Sequence, residues 1–350
     1  MRSLALLFVL SLSLFAVPVS AQTLSDLYQV REPVENQQPE TRTAALNRAL
    51  DTLVVRLTGD PEALKNPALA EVRQDPQQLI LQFAYEGDAL LVDFDPITTD
   101  RTLRQAGLTL WGANRPAILA WWLNESSEGA QLVGDGPGDD ASTLRAAAQH
   151  RGLPVRLPLA DLNEQLIATP DNLTASQPDA LRPASERYAA DALLAVKASE
   201  ADGQWQAQWR LWLGDSREQG TAQGANAAAL ADAVWLAVSQ RLAPRFVAAP
   251  GAAQGLTLEV QGATLSRYAE LQQLLEPFGA HLQRAEGDRL VYRVNAAPET
   301  LRAQLALARL QEVPASEALD ATLPPADGTA PTPTPGPQLV PREDVLRFRW

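Results

Sequence analysis

Residues 115–123 read Arg-Pro-Ala-Ile-Leu-Ala-Trp-Trp-Leu, and the seven from Ala117 to Leu123 are apolar without a break. A strand with one wet face alternates apolar and polar residues, so an unbroken run this short marks a strand covered on both faces. Pro116 can open such a strand but could not occupy its middle. Asn124, Glu125, Ser126 and Ser127 end it. A strand buried on both sides needs layers above and below, which implies an α/β domain.

Working outward toward the C-terminus, Leu132 to Asp140 interleaves Gly134, Gly136 and Gly138 with Asp135, Asp139 and Asp140. No Gly-Lys-Ser/Thr follows, as a phosphate loop requires, and a dinucleotide fingerprint is not matched. The spacing and closing Glu of a calcium loop are absent too. The stretch reads as a flexible acidic loop. Ser142 suits the cap of a helix running to His150, Gly152 ends it, and Leu153–Leu157 is a second strand, giving a β-α-β unit. Leu159–Ile167 is a short helix and Thr169–Pro183 a polar, Pro-containing loop. Ala192–Ala198 and Trp205–Leu213 are strands joined through an Asp202-Gly203 turn. Trp205, Ala207, Trp209 and Leu211 share one face; Arg210 and Trp212 share the other. Interleaved Trp and Arg can stack bases, but here they read as core. Asn226 to Leu242 is an Ala-rich helix. Together these elements define a middle α/β unit over 111–247.

Toward the N-terminus, Leu27–Val30 is a short strand. Leu46, Leu50, Leu53 and Leu57 recur at spacings of four, three and four, the stripe of an amphipathic helix that starts at Pro39. Gly59 caps it and Pro61 forbids its continuation. Arg42, Arg48 and Arg56 read as its solvated flank. Leu79–Tyr85 and Ala89–Phe94 form a hairpin through Glu86-Gly87-Asp88. Asp93 and Asp95 would share a strand face, but Pro96 follows at once and opens a helix over Ile97–Ala106. These elements form a small α+β unit over 22–110.

Beyond a linker at 248–255, residues 255–312 read β-α-β-β-α, a module of a size that binds or packs. Residues 313–341 hold most of the C-terminal prolines and read as an extended linker. Residues 342–350 then close the chain. In them Leu346, Phe348 and Trp350 alternate with arginines, a strand pattern that predicts docking on the chain's own body or on a partner. These three side chains are the candidate partner contacts. The fold expected is therefore a mixture of α/β and α+β: several small mixed-sheet units with helices packed on the sheets, plus a Pro-rich tail.

Composition narrows the function. A net charge of −13 with no basic run argues against nucleic acid. Residues 1–21 carry Arg2, an apolar Leu4–Val17 and small residues at Val19-Ser20-Ala21, the pattern of a cleavable export signal. No later segment has the roughly 20 apolar residues of a membrane span. There is no cysteine, so disulfides, thiol nucleophiles and thiolate metal sites are excluded. Gly-x-Ser-x-Gly and His-Glu-x-x-His are absent. With only His150 and His281, in separate predicted units, a histidine triad or multi-histidine metal site is hard to assemble. No catalytic residue, metal or cofactor is expected.

The order and spacing of several pieces resemble the exported gammaproteobacterial family catalogued as domain of unknown function 2066. The pieces are Arg42-x-x-Ala45-Leu46-x-x-Ala49-Leu50, Val55-Arg56-Leu57-Thr58-Gly59, Trp111 with Arg115-Pro116, Ala147-x-x-x-Arg151-Gly152-Leu153-Pro154, Pro158-Leu159-x-Asp161-Leu162 and Ala184-Ser185-x-Arg187-Tyr188-x-x-Asp191. The likeness covers nearly all of residues 25–310 and implies export but no mechanism, since that family has no assigned activity. The middle unit also looks like the α/β domains of curli-export lipoproteins, TolB N-termini and outer-membrane activators of cell-wall synthases. The front helix and hairpin are similar to the N-terminal domain of the flagellar assembly protein T. These are assembly parts without catalysis, an analogy of fold.

The expectation that follows is an exported, periplasmic, non-catalytic binding or adaptor protein of the cell envelope. Its partner is an unknown envelope protein or a second copy of itself, and its contact regions are Asp135–Asp140, residues 169–183 and the tail. A hydrolase or small-ligand-binding protein acting on an envelope component through carboxylates is the alternative.

Overall fold

The computed structural model of the chain describes residues 26–126, 129–247, 254–313 and 345–350. The expected signal at 1–21 and all but the first residue of the Pro-rich linker at 313–341 lie outside the described residues. Three sheets, mixed or antiparallel, each carry helices, the α/β mixture expected.

The first sheet is built from β1 (Gln29–Pro33), α1 (Pro39–Thr58), α2 (Leu69–Gln74), β2 (Ile80–Glu86), β3 (Ala89–Phe94) and α3 (Pro96–Gln105). Its order is β1-β3-β2, antiparallel throughout. The leucine stripe of α1 packs on it, with Leu46, Leu50, Leu53 and Leu57 all buried beside Leu90, Val92 and Phe94. Gly59 adopts φ 69° and returns its N–H to the Val55 carbonyl at 2.7 Å, the left-handed cap that stops α1. Asp95 accepts from the N–H groups of Ile97 and Thr98 and caps α3, while Asp93 accepts from Gln29 and Gln82. Both carboxylates hold local structure.

The second sheet contains β4 (Ile118–Ser126), β5 (Gly129–Leu132), α4 (Asp139–His150), β6 (Val155–Arg156), α5 (Leu162–Ile167), α6 (Pro170–Leu173), α7 (Arg182–Ser185), β7 (Ala192–Ala201), β8 (Gln204–Leu213), β9 (Ser216–Gly224) and α8 (Ala227–Phe246). The order is β5-β4-β7-β8-β9, with β6 also paired to β4; β4 runs parallel to β6 and β7. The apolar run is covered on both faces. Ile118, Ala120 and Trp122 pack with Leu144 of α4 and Val234 of α8, while Leu119, Trp121 and Leu123 pack with Leu173 and Leu181.

Four differences from the sequence reading stand out here. First, β4 does not end at Leu123 but reaches Ser126 and pairs with β5, because one covered half leads into a polar, half-exposed half. Second, β9 was not legible, since its polar alternation has no large apolar residue. Third, the strand expected over Leu153–Leu157 shrinks to two residues between Pro154 and Pro158. Fourth, 169–183 is no open loop: it turns through α6 toward α7, and its Leu173 and Leu181 cover the sheet.

The third sheet joins β10 (Gln254–Gln261), α9 (Leu265–Leu275), β11 (His281–Glu286), β12 (Arg289–Ala296), α10 (Pro298–Leu307), β13 (Gln311–Glu312) and β14 (Val345–Arg349) in the order β11-β12-β10-β14-β13. The C-terminal tail is thus an inner strand, parallel to β10 and antiparallel to β13. Leu346 lies opposite Leu258 and Phe348 opposite Val260, and both are buried against Tyr292, Leu301 and Leu305. Trp350 is half-buried, with the Arg267 guanidinium 5.3 Å from its ring centroid.

Candidate functional site

Two places concentrate polar chemistry or exposed apolar surface. The first lies where the first sheet's helix meets the middle unit. Arg56, in the last turn of α1, is buried rather than part of a solvated flank, because that turn faces α4. Its Nε donates to the His150 carbonyl at 3.1 Å, and its Nη1 to the carbonyls of Leu27 and Gln29 at 3.0 and 2.6 Å. Arg115, just before β4, is buried too and aims its N–H groups at five backbone carbonyls: Gly112, Arg151, Gly152, Arg56 and Trp111, at 2.7–3.3 Å. Its guanidinium also stacks 4.3 Å from the Trp111 ring. No carboxylate faces it among these partners; the fork is satisfied by carbonyl dipoles. Burial, and then a neighbouring guanidinium, pushes both arginines below their ordinary values. Gly152, at φ 66°, leaves the room this needs, since a Cβ there would lie 2.6 Å from Cγ of Arg56.

Beside them His150 sits between two carboxylates. Its Nδ1 is 3.0 Å from Asp232 of α8 and its Nε2 is 3.7 Å from Glu32 of β1. Arg151 pairs with Asp232 and Arg48 lies 3.6 Å from Glu32. Burial opposes the imidazolium, but the two carboxylates outweigh it and raise the His150 pKa. Burial likewise opposes both carboxylates, yet His150, with Thr52 at Glu32 and Arg151 at Asp232, holds them below the usual range.

Thr52 stands 3.3 Å from His150 Nε2, so a hydroxyl, an imidazole and Asp232 come into line, a juxtaposition that the separate predicted units concealed. These groups form a hydrogen-bonded ion-pair network in which the Thr52 hydroxyl directs its proton to Glu32 at 2.7 Å.

The stability consequence has a defined sign. A raised histidine pKa contributes stability that is full below 6.5 and fades as pH rises through the raised value; the lowered carboxylates contribute above 3.8 and 4.5 and lose it in acid. Urea unfolding of the full chain is therefore expected to show higher stability at about pH 6.5 than at about pH 8. His150→Gln flattens that difference. A variant with the wild-type pH profile would contradict the ion-pair assignment.

The second place is a groove of about 630 Å³ on the middle unit. It is lined by Ala130, Gln131 and Leu132 of β5, by Leu162, Gln165 and Leu166 of α5, and by Leu159. Leu159, Leu162 and Leu166 are 61%, 74% and 69% exposed, an unusual concentration of bare leucines on one short stretch. What holds them out is local and polar. Asp161 and Glu164 form a reciprocal capping box at the start of α5. The fully buried Glu164 accepts from Arg187 and from the Tyr188 hydroxyl, which in turn accepts from the Leu159 N–H at 2.8 Å. This network fixes α5 and leaves its leucines outward.

The glycine loop after β5 lines the groove too. Gly134 passes so close to Ala160 that a Cβ would come within 2.6 Å of it, which is why a glycine stands there. The loop is tied rather than loose: the Asp135 N–H reaches the Pro158 carbonyl at 2.6 Å, its carboxylate pairs with Arg145, and Asp140 accepts from Asn124.

Of the contact regions expected from sequence, the structure brings Asp135 into this groove, uses 169–183 as cover for the sheet, and places Leu346 and Phe348 in the third core. The candidate partner contacts Leu346 and Phe348 are therefore packing residues, and of the three only Trp350 keeps partial exposure. The residues missed were β5 and the α5 leucines. An exposed leucine at 162 or 166 has no sequence signature apart from a buried one.

Among the described residues no helix is long and apolar enough to cross a membrane, and no cluster of three or more His, Asp or Glu side chains stands ready for a metal. A family model described as a domain of unknown function (DUF8605) matches residues 21–112, the stretch that holds the whole first sheet and ends just after the Trp111 on which Arg115 stacks. No curated protein and no solved structure matches the chain.

Proposed function

We propose that this is an exported, non-catalytic binding or adaptor protein of the periplasm, which receives part of another cell-envelope component in the groove beside β5. The observation that carries the reading is the set of bare leucines, Leu159, Leu162 and Leu166, held outward along a sheet edge by a hydrogen-bonded network around the fully buried Glu164. Clustered exposed apolar residues of this kind mark interaction sites and binding grooves on soluble proteins. Export is supported by the signal pattern at 1–21. The resemblance to domain of unknown function 2066 points to the same compartment. Its segments, Val55–Gly59, Trp111, Arg115-Pro116 and Arg151-Gly152, converge on the buried arginines, so the likeness describes how the units are joined. The non-catalytic reading is supported by the engagement of the two buried carboxylates, Glu32 and Glu164, in ion pairs and hydrogen bonds.

The test is capture of the tagged full-length chain from cells after mild crosslinking. An envelope component should accompany the wild type and fall by about tenfold or more with Leu162→Asp/Leu166→Asp, the effect of removing a hot spot. A component retained equally by both would remove the groove from the account, and none at all would remove the adaptor role.

A further inference from the structure

We infer that the occupant of the groove is an extended, uncharged polypeptide segment that adds as a strand to the free edge of β5. This rests on the binding reading above and names the chemistry of its partner.

The hydrogen-bonding parity of β4 shows which groups are available. Its even-numbered residues bond toward the β5–β6 side: Ile118 N–H reaches the Pro154 carbonyl and the Trp122 carbonyl accepts from Val133. Its odd-numbered Ala117 carbonyl instead accepts from Asp191 and Ala192 at the β7 side. In an antiparallel pair hydrogen-bonded and non-hydrogen-bonded residues alternate. Leu132 and Ala130 lie opposite the odd residues Leu123 and Glu125, so their N–H and C=O groups turn away from β4 toward the outer edge. Those are the groups a neighbouring strand would pair with, at the every-second-residue spacing that a polypeptide backbone supplies.

The groove chooses among polypeptides. Among the described residues its only ionisable lining residue is Asp135, already paired with Arg145, so a charged side chain would be desolvated there without an opposite charge from these residues. The lining offers Leu162 and Leu166 of α5 together with Leu159, so apolar side chains at alternate positions of the added strand find apolar neighbours. A volume of about 630 Å³ falls within the roughly 300–1,000 Å³ of ligand sites. Exposed edges are blunted by shortness, charge or proline; the four residues Gly129-Ala130-Gln131-Leu132 carry no charge and no proline, so only their length limits pairing.

The experiment uses the full chain and three short fluorescein-labelled peptides: a serine peptide that alternates leucine with serine, and a lysine and a glutamate peptide in which those groove-facing leucines are replaced by lysine or by glutamate. Fluorescence anisotropy should show binding of the serine peptide and at least about tenfold weaker binding of the other two. Ala130→Pro removes one outward N–H while leaving the β4–β5 ladder intact. It should weaken the serine peptide about tenfold or more, as should Leu162→Asp/Leu166→Asp, while Leu265→Asp on α9 has no effect; melting curves establish that each variant is folded. Binding insensitive to Ala130→Pro would overturn strand addition. Preference for the lysine or glutamate peptide, binding of no peptide, or concentration-dependent self-association through β5 would also overturn the proposal. Absence of peptide binding together with groove-dependent capture in cells would sink this inference alone. Peptide binding without groove-dependent capture would sink the adaptor reading and leave this one standing.

Discussion

Arg115→Lys is expected to destabilise the full chain by about 3 kcal/mol or more, although it keeps the charge. The guanidinium directs its N–H groups to five carbonyls drawn from the end of α1, the connector at Trp111-Gly112, and the turn after α4. An ammonium has three donors on a single centre and cannot reach that spread, so at least two buried carbonyls lose their partner. Each such loss costs about 1–3 kcal/mol, against a total stability of typically about 5–15 kcal/mol. The stacking on Trp111 weakens as well. Arg115→Met, which leaves every one of these carbonyls unpaired, should cost still more. Urea unfolding of the three proteins at one pH checks this. A lysine variant within about 1 kcal/mol of the wild type would mean that charge alone, without the fork geometry, joins the units.

Phe348→Ala carries the other large effect, about 3–5 kcal/mol. The ring lies buried in the third core, on an inner strand between β10 and β13. The loss should be local. Hydrogen exchange is expected to speed up for amides of β10 and β12, which the strand stabilises, and to stay unchanged for β7 and β8 of the middle sheet. Trp350→Ala, which gives up a half-exposed ring and its contact with Arg267, should cost no more than about 1–2 kcal/mol. Equal effects from Phe348→Ala and Trp350→Ala would contradict the inner-strand placement.

The same two positions show what a sequence can and cannot tell. The alternation of Leu346, Phe348 and Trp350 identified a docking strand, because period two is a local property. Whether that strand meets its own body is a matter of which backbone edge is free. That depends on β13 and β10, which are distant in the chain. The covered strand Ala117–Leu123 was legible for the same reason, since an unbroken apolar run has few other meanings. So were the leucine stripe and the glycine cap of α1. Arg56 was misplaced because its burial comes from a turn of α4 nearly a hundred residues away, to which its Nε is bonded. His150, Thr52 and Asp232 likewise come from three helices, with no spacing to link them. The groove was half visible. Its glycine loop stood out in composition, but β5 is four residues without a large apolar pattern, and the α5 leucines read only as part of a short helix with no sign of which way they face.

The central claim is that β5 and α5 together receive an envelope partner. The most direct measurement places a photoreactive side chain at Leu162 in the full chain in living cells, with the same group at Leu265 as the comparison. Both positions are highly exposed, at 74% and 86%, so accessibility does not separate them. The account predicts a discrete adduct from Leu162 and none from Leu265. Equal adducts from both positions, or none from Leu162, would contradict it.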